Sequence, residues 1–406
     1  MIKSVLSINQ KYEVNGGSDS YYFNLNKLLQ EKGIEVFEFA SKGRDLESSE
    51  YSIYFPENVD FKDRTLSSLI KYIYNYDARK MLVNLLQNIT PDLAHLQIYY
   101  GQLTPSILKP LIDREIPIIQ TLHEYKLSCP VYTHYVDGEI CEKCIDGSKL
   151  NVIKNRCKDN SVINSSIRYL EYSLSRIFGD IRLINKFICV SRFQYELMKK
   201  AGVPDHKLDV VYNFVESNDE IINSSKSNYI IYYGRLEKLK GVQTLIAAMK
   251  NFPTLKLLIV GSGGYKCDLE RLVNQECLKN VTFIEFMPFI ELRKLIVDSL
   301  AVVVPSEWYE NCSMCVIEAK SLGKPVIASS IGGITEQIHH GVDGYLFKPG
   351  SIVSLSNALE KLLSNENYME MCKESNKDQI VRYSKEAHYS ELAKIYTEVT
   401  DDCSNR

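Results

Sequence analysis

The chain has 406 residues, too many for one hydrophobic core and suited to two domains of ordinary size. Its 48 basic and 51 acidic residues nearly cancel, which excludes the strongly basic face of a non-specific nucleic-acid binder. Met1 to Gln10 has no signal-peptide pattern, and no apolar run approaches the ~20 residues of a membrane span. A cytoplasmic protein is expected, with its 11 cysteines reduced or metal-bound.

Strand and helix patterns alternate almost from end to end, the pattern of parallel sheets with helical crossovers. Lys3 to Ile8 reads as a first strand, and Gly16-Gly17-Ser18 breaks it before a helix over Asp19 to Lys32. Further strands are expected at Ile34–Phe39, Leu93–Gln97, Ile116–Leu122 and Lys186–Val190. The interval from Glu124 to Asn160 is too long for a βα connection and carries its own cysteines, so it is read as an insertion. A helix around Ile163 to Phe178 mixes Arg168 and Arg176 with Ile167, Leu170, Leu174 and Ile177. Its plainer reading is an amphipathic helix packed on its own domain with a solvated basic face. The other reading is contact with an anionic membrane surface or a lipid-diphosphate acceptor. Asn213 to Asn228 is polar, with four serines and four asparagines, and reads as an interdomain linker. The alternation restarts at Tyr229–Tyr233 and continues through Lys256–Val260, Val281–Ile284, Ala301–Val304 and Pro325–Ala328, and Ser384 to Val399 is a terminal helix. The expected fold class is α/β, with domains at 1–213 (insertion 124–160) and 214–383 and a helical tail at 384–406.

The second domain opens with Gly234-Arg235-Leu236 and Lys240-Gly241 directly after a strand, where open α/β sheets bind ligands. An Arg fork and a Lys point charge together suit a diphosphate. Glu310 and Glu318 are separated by seven residues around the start of a helix, and carboxylates accept well from pairs of sugar hydroxyls. Asn311-Cys312-Ser313 between them would present free N–H groups at the helix N-terminus, an anion site. Glu318 sits in the apolar run Val316-Ile317-Glu318-Ala319, where an unpaired carboxylate is costly. Gly332-Gly333-Ile334-Thr335-Glu336 and Gly261-Ser262-Gly263-Gly264 are further βα turns. The latter has Lys266 where a dinucleotide fingerprint has its third glycine, which argues against a dehydrogenase.

On these residues the chain resembles the family 4 glycosyltransferases of the GT-B fold, from Met1 to about Val399. The resemblance rests on Gly234-Arg235 with Lys240-Gly241, on the Glu310/Glu318 pair and on Gly332-Gly333 with Glu336, in that order along the chain. It implies a retaining transferase of two Rossmann-like domains, with the terminal helix crossing back to the first. Arg235 and Lys240 would neutralise a donor diphosphate, Glu310 would contact the transferred sugar and Glu318 the ribose. Gly16 and Gly17 would form the loop near donor phosphate and acceptor, and His123 would stand beside the donor sugar. Gly234, Gly261, Gly263, Asn311, Cys312 and Ser313 complete the expected donor site. Two positions depart from the family pattern. Glu124 follows His123 in place of Asp, and Glu285 replaces a glycine after the Val281 strand, which leaves the nucleotide base open.

No D-x-D occurs, so no metal is required for catalysis on this reading. The expected partners are a nucleoside-diphosphate sugar and a glycan or lipid-linked acceptor of bacterial surface polysaccharide. Peripheral contact with the inner membrane face is an added expectation, and nucleic acid is not a partner. Rival readings are a nucleotide-sugar epimerase or hydrolase, and an accessory subunit without turnover. In the insertion, Cys129, Cys141-x-x-Cys144 and Cys157 suit a tetrahedral structural zinc; the alternatives are a redox C-x-x-C, which lacks a thioredoxin-like context, and incidental buried thiols. A comparable cysteine-bearing insertion marks a bacterial polysaccharide-type subgroup that the chain is similar to.

Overall fold

A computed structural model of the chain describes residues 2–43, 49–59, 65–216 and 228–404. In the first half, β1 (Ser4–Lys11), β2 (Glu35–Ser41), β3 (Leu93–Leu96) and β4 (Ile118–Leu122) precede a hairpin of β5 (Tyr135–Val136) and β6 (Glu139–Ile140). β7 (Lys186–Cys189) and β8 (Leu208–Val210) follow. All except the hairpin join one parallel sheet in the order β2-β1-β3-β4-β7-β8. In the second half, β9 (Tyr229–Tyr233), β10 (Lys256–Val260), β11 (Val281–Ile284), β12 (Ala301–Val304), β13 (Val326–Ser329) and β14 (Gly344–Phe347) form a second parallel sheet. Its order is β11-β10-β9-β12-β13-β14.

Parallel strands covered by helices on both faces read as unbroken apolar runs, and β12 (Ala-Val-Val-Val) is buried at every residue. The expected α/β class with two parallel sheets is therefore what the chain forms. β8 and β14, of three and four residues, escaped the sequence reading, because β14 begins at a glycine and β8 holds Asp209. Of the polar stretch read as a linker, residues 217–227 lie outside the described residues.

Six helices matter for the site: α1 (Gly17–Glu31), α2 (Leu66–Ile73), α3 (Val162–Phe178), α4 (Arg192–Lys200), α5 (Met314–Ser321) and α6 (Lys385–Ser404). α1 packs Tyr21, Leu25, Leu28 and Leu29 onto the first sheet, and α6 returns from the second half to join them. Leu392, Ile395, Tyr396 and Val399 share one buried cluster with Val5, Ile119 and Ile188. Tyr396 Oη also hydrogen-bonds His95 Nδ1 at 2.6 Å. None of the described helices is long and apolar enough to cross a membrane.

α3 corrects an expectation. A solvated basic face was anticipated, and the helix is turned the other way. It buries Ser165, Glu171, Tyr172 and Ser175. Arg168 lies over the rings of Tyr72 and Tyr132 at 5.2 and 5.8 Å, and Arg176 donates to Tyr172 Oη at 3.1 Å and to the Leu127 carbonyl. Glu171 is paired with Lys126, both almost fully enclosed. The physical reason lies in the start of the insertion. Residues 126–132 present a lysine, carbonyls and the Tyr132 ring, which a polar helix face satisfies.

Candidate functional site

In the second sheet the strand order reverses at β9, which lies between β10 and β12. Loops leaving neighbouring strands at such a point diverge and open a crevice. The loop after β9 carries Gly234 to Gly241, and the loop after β12 carries Pro305 to Ser313. They touch at Gly241, where an added Cβ would lie 1.9 Å from the Pro305 carbonyl oxygen. Gly261 and Gly263 support the first loop from behind: Cβ atoms there would stand 2.0 and 2.3 Å from the carbonyl oxygens of Gly234 and Leu236. These two expected donor-site glycines thus act on the shape of the 234–236 loop. Gly16, at the end of the β1 loop, faces open space, with nothing within 4 Å of an added Cβ.

The centre of the crevice is Glu310. One carboxylate oxygen accepts from Lys240 Nζ at 2.6 Å, Ser306 Oγ at 2.6 Å and Trp308 Nε1 at 2.9 Å. Lys240 Nζ also stands 5.1 Å from the Trp308 ring centroid. Burial pushes the Glu310 carboxyl up, but Lys240 and the two neutral donors outweigh it and hold the group below its ordinary value. Ser306 and Trp308 were not anticipated from sequence, although their i−4 and i−2 spacing from Glu310 was visible. Arg235 stands apart from this cluster. It is 54% exposed and pairs with Glu237 at 3.0 Å.

Glu318 lies within α5, and its carboxylate accepts from Tyr233 Oη at 3.1 Å. Burial pushes its carboxyl up to about 7, against a smaller lowering by Tyr233. The loop between the two glutamates needs a correction. The Ser313 N–H, expected to be free, donates to Gln337 Oε1 at 2.9 Å, and Cys312 is enclosed with Val190, Ile317 and Tyr383. Gln337 was missed because a lone glutamine after a glycine turn carries no signal. The N–H groups of Asn311, Cys312, Met314 and Cys315 have no acceptor among the described residues, so the expected donor stretch loses only Ser313 and runs on into α5. Asn311 Oδ1 is buried without a partner. Behind the loop, Gly333 N–H donates to the Glu310 carbonyl at 2.7 Å.

The first half meets this crevice at several places. Gly17 approaches Met314, with an added Cβ 3.3 Å from its Cγ. Tyr125 Oη donates to the Glu310 carbonyl at 3.3 Å. Glu336 accepts from the Arg192 and Phe193 N–H groups at the start of α4, at 2.9 and 2.5 Å, and from Tyr212 Oη at 2.8 Å. His123 directly follows β4 and bonds Gln97 Oε1 through Nε2 at 2.8 Å. Burial, with His388 nearby, lowers it to about 3, so the ring is neutral. Burial likewise lifts Glu124 to about 7, partly offset by Lys126. The insertion reaches the same edge, since Glu142 accepts from Tyr309 Oη at 2.8 Å and pairs with Lys200 at 2.8 Å.

Cys129, Cys141, Cys144 and Cys157 line one small cavity together with His134 and Tyr135. Burial and the neighbouring thiols push Cys144 up to about 11 and Cys157 to about 12. As arranged, no three His, Cys, Asp or Glu among the described residues form a group that could hold a metal ion.

Two family models match the chain: Glycosyltransferase Family 4 over residues 15–219 and Glycosyl transferases group 1 over residues 215–379. An uncharacterized glycosyltransferase of Methanocaldococcus jannaschii is 32% identical over 221 residues, 50% of this chain and 56% of that protein. The chain thus spans little more than half the length of that relative. N-acetyl-alpha-D-glucosaminyl L-malate synthase of Bacillus anthracis is 25% identical over 422 residues, 97% of each chain. Among solved structures, sucrose-phosphate synthase of Thermosynechococcus elongatus matches with a TM-score of 0.72 at 17% identity, covering 98% of this chain and 100% of that one.

Proposed function

The chain belongs to glycosyltransferase family 4 and is a glycosyltransferase of the GT-B fold, and we propose that it moves a sugar, with retention of configuration, from a nucleoside-diphosphate sugar to a glycan or lipid-linked glycan acceptor of bacterial surface polysaccharide. The observation that carries the donor part is the Lys240–Glu310 pair, with Ser306 and Trp308, set where the strand order reverses.

Charge develops on the leaving diphosphate as the glycosidic bond breaks, and preorganised donors aimed there lower the barrier. Lys240, the free N–H groups of Met314 and Cys315, and Arg235 once released from Glu237 are those donors. Lys240 turning to phosphate frees the Glu310 carboxylate to accept sugar hydroxyls, so Glu310 positions the sugar and is not assigned as a nucleophile. Glu318 accepts the ribose hydroxyls. His123, held neutral and bonded to Gln97, offers a polar edge to the sugar without adding charge beside the departing anion. Glu285, paired with Lys266, leaves the base unspecified.

The test is a thermal-shift screen with UDP, GDP and ADP on the wild type, Arg235→Ala and Glu318→Gln, at pH 6 and 8. At a hundredfold excess over its dissociation constant, the right nucleotide stabilises by about 2.7 kcal/mol. That stabilisation should fall in Arg235→Ala. Glu318 is uncharged below about 7 and accepts hydroxyls best when ionised, so affinity should weaken by up to about tenfold per pH unit below that value. Glu318→Gln should remove this dependence. In the unliganded protein the same shift acts on stability with the opposite sense: its contribution is full below 4.5 and is lost as pH rises through about 7. No response to any of the three diphosphates would end the donor assignment.

The cysteine cavity carries the zinc proposal forward from the sequence pattern. Its support is that all four thiols line one cavity, and binding would require the sulfurs to turn inward from their present arrangement. Metal analysis of protein purified without chelator should find close to one zinc per chain. Well under one would make these ordinary buried thiols.

A further inference from the structure

α3 is built inside out for a helix on a soluble domain. Its carboxylate, serines and arginines face inward, while Ile163, Leu170 and Ile177 are 68, 49 and 69% exposed. With Ile167 and Leu174 these residues follow a 4-3-4-3 spacing, one continuous apolar stripe along the 17-residue helix. Ile167 and Leu174 are half-buried, while the other three side chains stand open among the described residues. α2 packs beside α3 and adds exposed Leu66 and Ile70, and the end of the stripe carries half-exposed Phe178 against Tyr74, which in turn touches Tyr76. Several apolar side chains exposed on two adjacent helices mark an interaction surface.

We propose that this face of α2 and α3 docks on an anionic lipid surface. Three observations favour lipid over a second protein. The charges near the stripe leave a basic excess: Lys71 is paired with Asp77 and Lys158 with Asp159, while Lys154 and Arg156 are exposed just before α3. The cations on α3 itself are committed inward, so the helix offers few charges for pairing with a partner helix. Tyrosine and phenylalanine rings at the stripe's end suit the boundary between headgroups and acyl chains. The inner side of α3 gives the docking a purpose that rests on the lipid-linked acceptor reading above. Arg168, Tyr172, Arg176 and Glu171 hold residues 126–132, the segment that follows His123 and Glu124. A docked α3 would thus bring the acceptor side of the crevice next to the bilayer.

The experiment is co-sedimentation of the full chain with phosphatidylcholine vesicles, with and without phosphatidylglycerol. It is run on the wild type and on the triple variant Ile163→Ser, Leu170→Ser, Ile177→Ser, with the molar mass of each measured in solution. The wild type should bind the phosphatidylglycerol vesicles, more weakly as salt rises, and the variant should bind at least about tenfold less. The three side chains are exposed, so the variant should keep the wild-type melting temperature and nucleotide response, which reports the donor site independently of lipid. Absence of wild-type binding at low salt would overturn the proposal, as would equal binding by the variant. A wild-type dimer that the variant dissolves would overturn it in favour of a second copy of the chain.

Discussion

Replacing Lys240 with alanine should lower turnover by about 10²–10³-fold, the usual effect of removing one preorganised donor from a developing anion. The effect has a second source. Lys240 is the cation that holds the Glu310 carboxyl below its ordinary value against burial, and the two side chains are only 18 and 12% exposed. Without Lys240, Glu310 keeps two neutral donors, its carboxyl rises, and an ionised group is left enclosed without a counter-charge. Loss of one partner from such a pair costs up to about 3 kcal/mol here, the low end for buried pairs because neither group is fully enclosed. The double variant Lys240→Ala, Glu310→Gln should therefore be more stable than Lys240→Ala alone while remaining inactive. Melting temperatures and the rate of nucleoside-diphosphate release separate the two effects. Turnover within twofold of wild type in Lys240→Ala would remove this pair from the active site.

Gly333→Ala should damage both stability and turnover, and by sterics alone. Gly333 has an ordinary φ of −67°, so alanine suits its backbone. The obstacle is the Asn311 carbonyl oxygen, 1.7 Å from where the Cβ would be, with Ser191 Cβ of the first half at 3.0 Å. The nearer obstacle is backbone and cannot rotate aside as a side chain would, so the glycine turn must move, taking its N–H away from the Glu310 carbonyl. A cost of about 3 kcal/mol is expected, lowering the melting temperature by roughly 6–12 °C. Gly341→Ala is the control: its φ is +83° but nothing lies within 4 Å of the added Cβ, so only about 1 kcal/mol of backbone strain is added. If the two variants melt together, close packing behind the Glu310 loop is not what Gly333 provides.

These two residues mark what was legible in the sequence. The strands at Tyr229–Tyr233, Lys256–Val260, Val281–Ile284 and Ala301–Val304 form where apolar runs bounded by turn residues place them, since a strand buried on both faces leaves little choice of composition. Lys240 and Glu310 were each legible as ligand-facing residues. That they bond to one another, 70 positions apart, was not, because only the sheet topology brings the two loops together. That Ser313 drops out of the run of free N–H groups was hidden for the same reason, since it turns on Gln337 reaching that residue. For α3 the two faces were readable but not which one would be inside. Periodicity separates polar from apolar and is silent about the neighbour, and here the neighbour is an insertion that presents polar groups.

The return of α6 has a consequence for how the chain comes into being. Residues 392–399 close the core around Val5, Ile119 and Ile188, and Tyr396 supplies the partner of His95, which is sealed beneath. During synthesis the first half emerges with that seam open, and it stays open until residues 392–399 have left the ribosome. Of the two domains, the one made earlier is thus completed only after the other has been synthesised. A nascent chain stalled before residue 385 would present an incomplete core for as long as it waited, and the whole second half must fold in the meantime.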